Sequence, residues 1–231
     1  MMTHTYVRAL LVLWGFGLFG CTAETASDEQ SAVVADIQVT SDQAAVDAEN
    51  LVKAVGDLDA ERENASPGGQ VAFSCTYCHG RNGDNQSDYY PKLAGLPAKY
   101  TKDQLLAYRE GRRDSLSMQS MALALSTAEI DQVADFFASN EQKLENVFLA
   151  DEVQMSIGQK KAITCVVCHG PGKRVDQNTP PLAGQGYEYL VAQLVAFRDG
   201  ERLDADGVMP ALVADLSDTD IEAIAHYYAA Q

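Results

Sequence analysis

The sequence contains no hydrophobic run long enough to cross a membrane as a helix. Its N-terminal apolar stretch, residues 9–20, is twelve residues long, whereas a transmembrane helix needs about 20. An apolar stretch of this length behind a short start with His4 and Arg8 is typical of a secretory signal. We therefore predict that residues 1–20 are a signal peptide and that the mature chain lies outside the cytoplasm.

Positive charge is also scarce. The chain has 17 Lys and Arg against 33 Asp and Glu, a formal net charge of −16. Such a chain repels the phosphates of nucleic acid, so we expect no nucleic-acid partner. Residues 21–65 carry eleven acidic and two basic residues among small polar ones, a composition that buries too little apolar surface to fold. We predict an acidic flexible tether there, with some helix around residues 42–55.

Cysteine is limited to five residues, and four of them fall in two copies of one motif. The fifth, Cys21, ends the sequence L-F-G-C, which resembles the lipobox of bacterial lipoprotein signals. That resemblance implies lipidation of Cys21 and a periplasmic lipoprotein tethered to a membrane in a Gram-negative bacterium. The alternative is an ordinary signal peptide followed by a stray cysteine.

The two copies of the cysteine motif belong to an internal repeat. Three segment pairs match: C-T-Y-C-H-G (75–80) with C-V-V-C-H-G (165–170), P-K-L-A-G (91–95) with P-P-L-A-G (180–184), and residues 118–130 with 209–221. A repeat of roughly 80 residues indicates two tandem domains rather than a solenoid. We place the domains at residues 66–145 and 146–231, called here the first and the second repeat.

Each repeat has the pattern of a small helical domain. Ser126 with Glu129, and Ser217 with Asp220, form capping boxes ahead of an apolar helical face. A middle helix is expected to end at Gly111 or Gly200, and a first helix to lead into each cysteine motif. Three short helices and no convincing strand predict an all-α fold whose core is too small without a metal, a staple or a cofactor.

Three kinds of site contain two cysteines separated by two residues. A thioredoxin-like redox site follows a strand in a βαβ unit, and that pattern is missing here. A zinc site needs a second ligand pair nearby, but the two pairs are ninety positions apart. Covalent attachment of haem c fits best: two thiols add to the vinyl groups of the porphyrin and the following imidazole binds the iron. We therefore predict two covalently bound haem c groups. The thiols are Cys75, Cys78, Cys165 and Cys168, and the imidazoles are His79 and His169.

A second axial iron ligand must come from further along each repeat. Met118 and Met209 occupy the same position in the two repeats, and a thioether ligand favours ferrous iron and raises the reduction potential. Met121 is a competing candidate in the first repeat, but it aligns with Leu212, which favours a packing role. We predict Met118 and Met209 as the ligands.

Residues 66–231 resemble the di-haem class I cytochromes c of the cytochrome c4 type. The resemblance rests on C-x-x-C-H-G, P-x-L-A-G, the Arg-x-Gly after the middle helix, and Met followed by Leu-Ser seven residues later. It implies two similar domains related by a pseudo-twofold axis and delivery of electrons to respiratory oxidases. Pro91 and Pro180 match the proline whose carbonyl accepts a hydrogen bond from the iron-binding histidine in that family.

We therefore expect a one-electron carrier rather than an enzyme. A dedicated haem subunit of a membrane dehydrogenase or oxidase complex is the alternative. A di-haem peroxidase is disfavoured because it needs a vacant sixth site and distal acid–base groups, and only His4 and His226 remain beyond the haem motifs. The basic run Arg109–Arg113 faces Arg198–Arg202 in the alignment, and we expect these differently charged segments to steer different redox partners.

Overall fold

The computed structural model describes residues 41–143, 148–149, 151–170, 178–204 and 206–231. The predicted signal peptide, Cys21 and the first part of the acidic segment lie outside these residues. So does part of the junction between the repeats. Helix α1 spans Ser41–Asn64, which covers the segment where some helix was expected and continues beyond it.

The first repeat consists of short helices around one apolar cluster. Helix α2, Pro67–Ala72, runs through a 3₁₀ turn, Phe73–Cys75, into the one-turn helix α3, Thr76–His79. Helices α4, α5 and α6 follow at Ala98–Arg109, Leu116–Leu123 and Thr127–Ser139. The capping box of Ser126 and Glu129 is present at the start of α6.

The second repeat has the same order of elements. Helix α7 spans Glu152–Lys161, and the one-turn helix α8 spans Val166–His169. Helices α9, α10 and α11 follow at Tyr187–Arg198, Val208–Val213 and Asp218–Ala229. No strand occurs among the residues that the structure describes, which agrees with the all-α prediction. The short helices α5 and α10 were not predicted, because six to eight residues carry too weak a periodic pattern.

A glycine in the first helix of each repeat, α2 or α7, lets that helix pass close to the last helix, α6 or α11. A Cβ atom on Gly68 would lie 2.6 Å from the carbonyl oxygen of Gln132, and one on Gly158 would collide with the carbonyl oxygen of Ala223. Any other residue would push the two helices apart. The two glycines occupy equivalent positions in the repeats. Their shared role explains why both positions lack a side chain.

Each repeat has its own buried cluster. In the first, Ile130, Val133 and Phe137 of α6 pack with Ala72 and Leu105. In the second, Ile221, Ile224 and Tyr228 of α11 pack with Leu190 and Phe197. The buried residues are the apolar face that the helical pattern of the last helix predicted.

A symmetric polar network joins the two repeats within the compact part of the chain that starts at Val55. The guanidinium of Arg113 donates to Gln104 Oε1 (2.7 Å), to Gln193 Oε1 (2.8 Å) and to the hydroxyl of Tyr189 (3.0 Å). The guanidinium of Arg202 donates to Gln193 Oε1 (2.7 Å), to Gln104 Oε1 (3.0 Å) and to the hydroxyl of Tyr100 (3.1 Å). Every residue of this network has its repeat equivalent in the other half.

This network corrects one expectation about surface charge. Arg113 and Arg202 are only 7% exposed, and each guanidinium lies over an aromatic ring of its own repeat, Tyr108 at 4.6 Å and Phe197 at 4.4 Å. Burial raises the pKa of Tyr108 to about 12, although the nearby Arg113 opposes this rise. The last arginine of each segment, Arg113 or Arg202, is therefore not available to steer a partner, because it joins the two repeats. Only the exposed residues of Arg109–Arg113 and Arg198–Arg202 can contribute to steering.

The structure also bears on membrane insertion. Among the described residues, no helix combines the length and the apolar character that spanning a bilayer requires.

Candidate haem sites

The two cysteine motifs adopt the same local structure. In each, the first cysteine is the residue before a one-turn helix, and the second cysteine and the histidine lie within that helix, so all three side chains come from adjacent turns. All four thiols of the two motifs are free. Burial raises the pKa of Cys75 and of Cys165, against an opposing hydrogen bond from Ser74 or Thr164. The two thiols of each motif are thus available to a shared ligand.

The histidine ring of each motif is oriented by a proline carbonyl. His79 Nδ1 lies 2.8 Å from the carbonyl oxygen of Pro91, and His169 Nδ1 lies 2.8 Å from that of Pro180. Burial lowers the pKa of both histidines, although the hydrogen bond to the carbonyl opposes it. A neutral ring that donates from Nδ1 leaves Nε2 with a free lone pair, which is the state required of a metal ligand.

The two candidate methionines lie on the short helices α5 and α10. Met118 is half-buried and packs against the cluster of the first repeat, and Met209 does the same in the second. Met121 lies one turn further along α5 and is also half-buried. The structure therefore places Met118 and Met209 in equivalent positions, as the alignment of the repeats requires.

The residues of each site converge on one apolar cluster. Cys75 and Met118 both pack against the buried residues of the first repeat, and Cys165 and Met209 both pack against those of the second. A haem is a flat apolar body with an iron that takes one ligand on each face. Two thiols beside an oriented imidazole, with a thioether reaching the same cluster from another helix, are the donor set that haem c needs. The residues present therefore fit the group.

Sequence reasoning missed the groups that hold the methionine segments. Asp204 Oδ2 accepts hydrogen bonds from the backbone N–H of Val208 (3.1 Å) and of Met209 (3.2 Å). In the first repeat, Ser115 Oγ accepts from the N–H of Met118 at 3.4 Å. An aspartate four or five residues ahead of an unrecognised short helix carries no pattern that could have identified it.

Two family models match the chain, one in each repeat. The family described as "Cytochrome c" matches residues 65–141. The family described as "Cytochrome C oxidase, cbb3-type, subunit III" matches residues 158–227. Both matched segments contain one Cys-x-x-Cys-His motif, the proline that accepts its hydrogen bond and the methionine predicted as the second ligand.

Individual relatives cover both repeats together. A "Thiosulfate dehydrogenase electron acceptor" from Thiomonas intermedia is 34% identical over 69% of this chain and 79% of its own length. A "Cytochrome c4" from Pseudomonas aeruginosa is 32% identical over 77% of this chain and 90% of its own length. The crystal structure of reduced cytochrome c4 from Pseudomonas stutzeri matches with a TM-score of 0.64 and 28% identity, covering 71% of this chain and 96% of that one.

The repeated haem motifs, the helical architecture and these similarities agree. The chain belongs to the di-haem cytochromes c of the cytochrome c4 type, which are electron-transfer proteins with two covalently bound haem c groups.

Proposed function

We propose that each repeat holds one haem through its own motif. Cys75 and Cys78 attach the first haem and His79 binds its iron. The equivalent residues of the second repeat, Cys165, Cys168 and His169, do the same for the second haem. Met118 and Met209 would supply the second protein ligand of each iron, and Pro91 and Pro180 orient the histidines. Bound in this way, the haem supplies a one-electron couple, while the chain orients its ligands and excludes water from them.

The observation that supports electron transfer is the pair of candidate iron ligands in each repeat. A proline carbonyl orients the imidazole, and the methionine packs against the apolar cluster that the first cysteine of the motif also contacts. Two strong axial ligands suit an iron that changes oxidation state without binding substrate, and a thioether places that change at a positive potential. We propose that the chain carries single electrons between redox partners in the periplasm and toward a respiratory oxidase.

A dedicated role beside a dehydrogenase is the second candidate. A relative that shares 34% of its residues over both repeats is named as the electron acceptor of thiosulfate dehydrogenase, whereas other relatives are named cytochrome c4. We favour a membrane-tethered carrier that meets such a dehydrogenase transiently and accepts its electrons, and a permanent subunit is the alternative.

Rapid mixing of the purified holo-protein with each partner separates these roles. A carrier should be reduced by a thiosulfate dehydrogenase and oxidised by a terminal oxidase in separate bimolecular reactions whose rates rise with partner concentration. It should also run as a free chain during gel filtration at physiological salt. A permanent subunit would instead elute with its dehydrogenase and show reduction independent of concentration.

We further propose a cellular placement and a domain plan. Residues 1–20 direct export, Cys21 carries a lipid, and residues 21–65 connect that anchor to the haem domains at 66–145 and 146–231. The short apolar run and the L-F-G-C junction support the export signal and the anchor. An acidic connecting segment would keep the haem domains away from an anionic membrane surface by charge repulsion.

A further inference from the structure

One peptide unit connects the iron-binding histidine of the first repeat to the second repeat. The carbonyl of Pro91 accepts from His79 Nδ1 at 2.8 Å. The N–H of the same peptide unit belongs to Lys92 and donates to Gln185 Oε1 at 2.7 Å. No cis peptide bond occurs among the described residues. The carbonyl and the N–H of this unit therefore point in opposite directions, one toward each repeat.

The second repeat cannot form the equivalent connection. Lys92 aligns with Pro181, and a proline has no N–H to donate. The carbonyl of Pro180 still accepts from His169 at 2.8 Å, but the nitrogen of that peptide unit is part of the ring of Pro181 and carries no hydrogen. Both carbonyls accept from a histidine Nδ1 at 2.8 Å, and that of Pro91 also accepts from Asn85 Nδ2 at 3.1 Å. The two peptide units differ at the nitrogen, since only that of Lys92 has an N–H to donate.

The side chain of Gln185 is buried and is held in place by hydrogen bonds at both ends of its amide. Its side chain is 6% exposed, and its Nε2 donates back to the carbonyl oxygen of Lys92 at 3.1 Å. Its Oε1 also accepts from the N–H of Gly186 at 3.1 Å. The ammonium of Lys92, itself buried, donates to the carbonyl oxygen of Gly184 at 2.7 Å. Because both ends of the amide are bonded, the side chain has one orientation.

Hydrogen bonds through a shared peptide strengthen one another. A peptide whose N–H is donated becomes a better acceptor at its carbonyl, by about 10–30% per bond. A better acceptor draws the Nδ1 proton of a ligating histidine away from the ring and makes the ring a more basic ligand. A more basic imidazole stabilises ferric iron relative to ferrous iron.

We propose that Gln185, a residue of the second repeat, is a positioning residue for the haem iron of the first repeat and acts on His79 through the Pro91–Lys92 peptide. It strengthens the hydrogen bond of His79 and lowers the reduction potential of the first haem, and it leaves the second haem unaffected. The inference rests on the proposed role of His79 as an iron ligand.

The substitution Gln185→Met tests this role with little change in volume. Methionine removes the acceptor and fills the space of the glutamine. Filling matters because a cavity of about 20 Å³ lies against Gln185 and Lys92. That cavity is large enough for one water, which could replace the lost acceptor in a Gln185→Ala variant. Gln185→Glu keeps an acceptor for the Lys92 N–H and adds charge to it. Leu96→Met is the matched control, since Leu96 is the repeat equivalent of Gln185 and is also 6% exposed.

The direct readout is the Nδ1 proton resonance of each ligating histidine in the ferrous holo-protein, assigned along the backbone by NMR. Gln185→Met should move the His79 resonance upfield, and Gln185→Glu should move it downfield. The His169 resonance should stay in place in both variants. In an optical redox titration, one of the two waves should shift to higher potential in Gln185→Met and to lower potential in Gln185→Glu. Leu96→Met should cause neither shift.

Two failures would be distinguishable. If the ring protons of His79 lacked the strong upfield shift imposed by a porphyrin in the unsubstituted protein, the ligand role of His79 and the inference would both fall. If those protons were shifted but the Nδ1 proton did not respond to Gln185→Met, the inference alone would be overturned. Equal movement of the His79 and His169 resonances would overturn it as well.

Discussion

The substitution Arg113→Met probes the network that joins the two repeats. It removes three hydrogen bonds from a charged donor and the contact with the ring of Tyr108. Hydrogen bonds to a charged group contribute about 1.5–3 kcal/mol each. The net loss is smaller, because the guanidinium no longer has to be desolvated and both glutamine oxygens keep their bonds to Arg202. We expect a loss of about 2–3 kcal/mol in the free energy of unfolding.

The double variant Arg113→Met/Arg202→Met carries the sharper prediction. In either single variant, the remaining arginine still donates to Gln104 and Gln193. In the double variant, the side-chain oxygens of both half-buried glutamines lose their arginine donors. This costs about 1–3 kcal/mol for each group left unsatisfied. The double loss should therefore exceed the two single losses taken together by at least about 1 kcal/mol.

Guanidinium chloride unfolding of the holo-protein, followed by circular dichroism, measures these free energies. Arg112→Met is the control, since Arg112 is exposed and pairs only with the exposed Glu110, and it should change stability by less than about 0.5 kcal/mol. If the two single losses added to the double loss within about 0.5 kcal/mol, the arginines would not act as one network and the reasoning would be refuted.

Three further predictions concern the ligands and the anchor. Met118→Ala and Met209→Ala should each remove about half of the weak red absorption band that marks a methionine–iron(III) bond, because each repeat provides one such bond. Met121→Ala should leave that band intact, and its loss in this variant would reassign the ligand. Asp204→Ala should weaken the segment that carries Met209 by about 1–2 kcal/mol, as for a lost helix cap. The second haem should then become high-spin at a lower guanidinium concentration, and an unchanged midpoint of that spin-state transition would contradict this. Cys21→Ser should move the protein from the membrane fraction to the soluble periplasmic fraction, and unchanged membrane association would exclude lipidation as the anchor.

Local sequence patterns predicted the parts of the fold that depend on local interactions. The capping boxes at Ser126 and Ser217 form as expected, since the residues of a capping box are three positions apart and their geometry is set by one turn of helix. Gly111 and Gly200, which follow the middle helices, have positive φ angles of 70° and 76°. A positive φ is what a glycine just after a helix indicates. The alignment of the repeats then placed equivalent residues in equivalent sites.

Contacts between the repeats could not be read in this way. Arg113 looked like part of an exposed basic run, yet its partners Tyr189 and Gln193 are 76 and 80 positions away. The bond from Lys92 to Gln185 spans 93 positions. No period or motif relates such residues. They meet where side chains of α4 and α9 bond the two arginines and where the two Pro-x-Leu-Ala-Gly loops bond each other. The sequence therefore predicted the helices and capping boxes within each repeat better than the contacts between the repeats.

The central claim is that each repeat binds its own haem covalently. The intact mass of the denatured protein tests it most directly, because thioether-linked haem stays on the chain when the fold is lost. The unsubstituted protein should carry two haem additions, the double variant Cys75→Ala/Cys78→Ala should carry one, and Cys165→Ala/Cys168→Ala should carry the other one. An unsubstituted chain with a single haem addition, or a Cys75→Ala/Cys78→Ala variant that still carries two, would contradict the account.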